Sequence, residues 1–113
     1  MKFALIHQFA LALPEVTEAP HHHFSSFRVR GNIFVTIPPE QDALHVFVGE
    51  EERERALALY PEFAEKLLWG GKVVGLRLVL EKVCGKAAGQ AVQALVRAAW
   101  FHKAPKPLQT PPA

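Results

Sequence analysis

The chain has 113 residues, 50% of them apolar and 21% charged, with a net charge of +2. That composition fits one globular domain able to fold without staples, and the single cysteine, Cys84, excludes an intramolecular disulfide. The Phe3 to Leu13 stretch is too short for a bilayer span and lacks a small-residue cleavage pattern. A soluble, cytoplasmic protein is therefore expected, with Cys84 as a small buried hydrophobe.

Phe3, Ile6, Phe9, Ala10 and Leu13 recur at spacings of three and four, which predicts a first helix ended by Pro14. Val16 to Pro20 reads as a linking loop, and His21 to Phe24 as loop or strand lead-in. Phe27, Val29, Ile33, Val35 and Ile37 then alternate around Gly31-Asn32, the pattern of a hairpin with a Gly-Asn turn. A turn at Pro38 to Asp42 leads into a third strand, Ala43 to Val48, which completes a meander.

From Gly49 to Leu59 the period changes, predicting a short helix whose acidic first turn suits the helix dipole. Tyr60-Pro61 is expected to restart a helix carrying Phe63, Ala64, Leu67 and Leu68, ended by Gly70-Gly71. Val73 to Leu80 is a strong strand run in which Gly75 marks a bulge or a close backbone approach. Strict alternation there puts Lys72 and Arg77 on opposite faces unless a bulge intervenes. A last helix spans about residues 87 to 102, with Val92, Leu95, Val96 and Ala99 inward. The tail 104–113 carries four prolines and is expected to pack poorly, leaving 1–103 as the single domain. The elements predict an α+β fold, a mostly antiparallel sheet with helices packed on it.

The charge is unevenly spread. Residues 1 to 65 hold ten carboxylates against five bases, whereas residues 66 to 113 hold eight bases against Glu81 alone. Such a split points toward a polyanionic partner.

Several phrases together resemble the MmcQ/YjbR family: Ala12-Leu13-Pro14-Glu15-Val16-Thr17-Glu18, Phe27-Arg28-Val29-Arg30-Gly31-Asn32-Ile33-Phe34, Leu76-Arg77-Leu78-Val79-Leu80, and Ala99-Trp100 before Ala104-Pro105-Lys106. The resemblance runs nearly to Lys106. It implies a small α+β domain of the kind labelled DNA-binding for its likeness to a "double wing" fold, in which β-hairpins are the wings. It brings no catalytic motif, so no enzyme activity, catalytic residue or cofactor is implied. The chain departs from the family pattern at Asn32, where a lysine is common, and at Trp69, which precedes Gly70-Gly71-Lys72 rather than following such a turn.

On this reading Arg28, Arg30, Lys72, Arg77, Lys103 and Lys106 grip the phosphates of double-stranded DNA. No exposed recognition helix suggests base reading. The protein is expected to act as a monomer or weak homodimer, with no membrane association. The alternative is a protein-interaction or small-ligand-binding module, suggested by the modest net charge, Asn32 and the two tryptophans. The run His21-His22-His23 lacks convergent ligands, since neighbours in an extended segment point oppositely, so no metal is assigned. Of the tryptophans, Trp69 beside a glycine turn is the better exposed candidate for a functional contact. The acidic run Glu50 to Glu54 reads as a solvated helix start with local ion pairs.

Overall fold

The computed structural model describes residues 1–109. The chain forms α1 (Phe3–Leu11), β1 (Val16–His21), β2 (Phe24–Val29), β3 (Asn32–Ile37), β4 (Ala43–Val46), α2 (Glu50–Leu59), β5 (Ala64–Trp69), β6 (Lys72–Val79), α3 (Lys86–Lys103) and a short α4 (Lys106–Gln109). The strands make one six-stranded antiparallel sheet in the order β1-β2-β3-β4-β6-β5. This is the expected α+β architecture in a single domain. Among the described residues no helix is long and apolar enough to cross a membrane.

The core lies between one sheet face and the helices. Ile6 and Ala10 of α1 are buried, and so is the stripe Ala91, Val92, Leu95, Val96, Ala99 and Trp100 of α3, spaced to present one helical face. Both stripes pack on Phe27, Val29, Val35, Ile37, Leu44, Val46, Leu76 and Leu78 from the central strands. The Trp100 Nε1–H donates to the Pro14 carbonyl at 3.0 Å, pinning α3 to the turn after α1.

Several local expectations need correction. Residues 16–21 are a strand, not a loop; as the sheet's edge, β1 tolerates Pro20, whose missing N–H costs no ladder bond on the open side. Residues 64–69 are likewise a strand rather than the continuation of a helix. Ala64 joins the helix-side core while Leu67 is buried outside it, so their helix-like spacing of three comes from burial on both sheet faces. The first hairpin turns at Arg30-Gly31 instead of Gly31-Asn32, because Val29 pairs with Asn32. Both turn residues have φ above zero, 48° and 83°, as a tight type I′ turn requires. Cys84 is exposed rather than buried. At the carboxyl end Ala104 is buried and Leu108 packs against the core, while positions 110–113 of the proline-rich tail lie outside the described residues.

Two register shifts shape the sheet. Phe27 pairs with Val35 but Arg28 with Ile33, leaving Phe34 as an extra residue that is buried with Val35. In the last hairpin Leu67 pairs with Gly75 but Leu68 with Val73, so Val74 is extra. Gly75 lies hard against β4: a Cβ there would sit 2.4 Å from the Val46 carbonyl oxygen. Close backbone approach, anticipated from the glycine alone, is what this position requires.

Candidate nucleic-acid interface

Three strands of the sheet each carry a buried polar residue: Ser26 in β2, Thr36 in β3 and His45 in β4. Alternation turns each away from the helix-side core, and pairing aligns them in one row. Ala19 pairs with Ser26, Ser26 with Thr36, Thr36 with His45, His45 with Arg77 and Arg77 with Glu65. Ser26, Thr36 and His45 are nevertheless buried, and Ala43, Phe47 and Leu67 are buried apolar residues outside the main core. The second sheet face is therefore covered in part by the protein itself.

The cover is the β5–β6 hairpin. Its tip residue Trp69 lies 5.3 Å from the Phe47 ring and 6.5 Å, edge-on, from His45. Phe24 meets His45 from the other side, with ring centroids 5.7 Å apart. Between this tip and the β1–β2 turn runs a cleft of about 590 Å³, lined by His21, His22, Phe24, Thr36, Leu68, Trp69 and Gly70. Five inter-strand steps of ordinary right-handed twist, roughly 20–25° each, turn the outer hairpin across the face. The backbone contact at Gly75 lets it do so.

At the cleft floor the Thr36 hydroxyl and His45 Nδ1 are 3.2 Å apart and share one hydrogen bond. Burial, and then the nearby Arg77 guanidinium, push the His45 pKa below its ordinary 6.5, with Asp42 opposing. The imidazole is therefore neutral at pH 7, and the Thr36 hydroxyl keeps hydrogen-bonding capacity to spare.

The six expected phosphate-gripping residues fall into two groups. Lys72 pairs with Trp69, and Arg77 with Glu65, two positions whose side chains share a face because β5 is regular between them. The extra residue Val74 thus puts Lys72 and Arg77 on the same face. Arg28 belongs to that face as well, where its Nε donates to the Ser26 hydroxyl and its NH2 group to the Pro20 carbonyl, both at 3.1 Å. Arg77 donates to Glu65 at 3.0 Å.

The second group lies at and after the β2–β3 turn and the end of α3. Arg30 does not share the strand face of Arg28, since it occupies the turn itself and pairs with Glu15 at 3.0 Å. The Asn32 amide donates to the Lys103 carbonyl at 3.1 Å, which brings the end of α3 beside this turn. Lys106 opens α4 just beyond.

Trp69 is 43% exposed and Trp100 only 8%, as the glycine turn beside Trp69 suggests. The histidine run ends β1 and makes the β1–β2 turn, with the His21 and His22 rings 4.7 Å apart. Among the described residues no three His, Cys, Asp or Glu side chains are placed to hold a metal ion. The acidic run forms the local pairs Arg53–Glu54 and Arg55–Glu52 at the start of α2. The sequence reading missed Phe24 and Thr36 as cleft residues and Phe47 as the ring that supports Trp69. A partial signal was the alternation that sets Ser26, Thr36 and His45 opposite the core residues of their strands, which marks a second face.

Comparison with curated proteins gives no match, and neither does comparison with solved structures. The YjbR family model, by contrast, matches residues 11–102, from the end of α1 through α3 and across every strand just described. On that match, and with the fold it encloses, the chain belongs to the YjbR family.

Proposed function

We propose that this YjbR-family domain is a non-enzymatic DNA-binding module that holds phosphates along its helix-free sheet face. The observation that carries the reading is the bulge at Val74, which sets Lys72 and Arg77 on one face with Arg28, beside an aromatic cleft. Cations flanking exposed rings are the combination that single strands and distorted duplexes require. Arg30 in the β2–β3 turn, with the end of α3 at Lys103 beside it and Lys106 three residues on, would extend the contact.

A binding role rather than catalysis is supported by an arrangement, among the described residues, that resembles a catalytic set. His7 Nε2 and the Ser25 hydroxyl both bond to Glu18, at 2.9 and 3.0 Å, so the histidine is not placed to take the serine proton. A protein-interaction or small-ligand module is the second reading, favoured by Glu15 and Glu65, which neutralise Arg30 and Arg77.

The test is DNA binding as a function of salt. With about three phosphates neutralised by Arg28, Lys72 and Arg77, affinity should fall roughly 40-fold between about 50 and 200 mM salt. Lys72→Ala should lower the log–log slope by about 0.9. Absence of binding at about 50 mM salt, or binding indifferent to salt, would sink the DNA reading and leave the second.

A further inference from the structure

We infer that the cleft between the two hairpin tips is a binding site for one planar nucleobase, with Trp69 as its stacking platform. The inference rests on the nucleic-acid reading only for where the base comes from. The cleft of about 590 Å³ lies within the range of small-molecule sites, roughly 300–1,000 Å³.

Its walls match a flat heteroaromatic ring better than an aliphatic chain. Trp69 keeps 43% of its surface exposed while Phe47 and His45 brace it from below, so an aromatic surface is held toward solvent in a fixed orientation. A platform already ordered loses little rotamer freedom when a base stacks on it. His21, His22 and Phe24 supply rings on the other side of the cleft. Thr36 closes the floor with its hydroxyl bonded to His45 and almost no surface exposed, so the floor offers a ring contact rather than a polar partner. Lys72, the register partner of Trp69, stands on the same side to meet a phosphate attached to the base. An alkyl ligand would leave that cation without use.

Two sources carry this chemistry, a free nucleotide and an unpaired base in a DNA strand. The experiment titrates the full chain with AMP, adenosine, an adenine-rich single strand and the matching duplex, following tryptophan emission and heat. AMP should quench emission saturably and bind more tightly than adenosine, with Lys72→Ala erasing the difference. Trp69→Ala should weaken AMP roughly 5- to 100-fold, and Trp69→Phe should restore most of the loss. Because Trp69 is half exposed, Trp69→Ala should fold; His21→Ala, which removes a wall without touching the platform, is the second variant and should weaken AMP to a smaller degree.

AMP binding together with tighter single-strand binding supports the site and assigns it to a strand. AMP binding without any DNA binding supports the site, assigns it to a free nucleotide and sinks the DNA reading. DNA binding with no response to AMP and no loss in Trp69→Ala overturns the site and leaves the DNA reading standing. No binding of any probe overturns both.

Discussion

Gly75→Ala probes the bend on which the cleft depends. The new methyl group would lie 2.4 Å from the Val46 carbonyl oxygen, 3.3 Å from its carbon and 3.4 Å from the Phe47 Cα. All three are backbone atoms, so no side chain can swing aside; β6 must move off β4. Overpacking of this kind costs about 1–3 kcal/mol. Weakening one or two ladder hydrogen bonds adds about 0.5–1.5 kcal/mol each. The stiffer unfolded chain returns only about 0.4–1 kcal/mol. The terms centre on a net loss of about 3 kcal/mol, a fall in Tm of roughly 10–20 °C for a domain of this size.

Gly89→Ala provides the control. It lies within α3 with no atom near its would-be Cβ, and helix propensity there should add about 0.5–1 kcal/mol of stability. Thermal melts followed by circular dichroism compare the pair. A Gly75→Ala protein that melts with the parent would refute the argument that β6 is bent by close backbone contact.

Phe27→Ala removes a fully buried ring that touches Phe34 and His7, and should cost about 3–5 kcal/mol in a urea titration. Trp100→Phe deletes the hydrogen bond to the Pro14 carbonyl and should cost about 1–2 kcal/mol; a change near zero would mean that this tie between α1 and α3 does not matter. Acid sensitivity should show His45. Its folded pKa lies below 6.5, so the unfolded chain takes up the proton first, and stability declines as pH falls from about 6.5 to the folded value. His45→Gln should flatten that part of the stability–pH curve, and an unchanged slope would contradict the assignment. Glu18, lowered mainly by its hydrogen bond from His7, loses its contribution further down, as pH falls from 4.5 through its folded value.

What could be read in the sequence follows the strength of each local signal. The α1 and α3 stripes and the central strands bury one face each, so their apolar periods of 3.6 and 2 are undiluted. The two edge strands were the ones misread. In β1, Pro20 and four residues of polar or small type suggest a loop, yet an edge position needs only one side of its backbone paired. In β5, both faces bury an apolar side chain, Ala64 toward the helices and Leu67 toward the cleft, and the resulting spacing imitates a helix.

The phosphate-gripping residues were legible singly but their grouping was not. Whether Lys72 and Arg77 share a face turned on one extra residue, Val74; Gly75 beside it signals a bulge or a close approach without deciding between them, and the structure has both. The uneven charge along the chain has no counterpart in space: Arg28, from the acidic half, joins Lys72 and Arg77, while Glu65 and Glu15 sit against two of the bases. The cleft, in turn, depends on twist accumulated over the whole sheet, which only the assembled strands express.

The most direct measurement is a proton–nitrogen NMR titration with an adenine-rich single strand, because the chain carries two indole reporters on opposite sides of the sheet. The account predicts that the Trp69 indole N–H and the amides of Phe24, Thr36, His45 and Lys72 shift together. The Trp100 indole, bonded to Pro14 in the helix-side core, should stay in place. Shifts centred on α1 and α3, or movement of Trp100 with Trp69 unmoved, would contradict it.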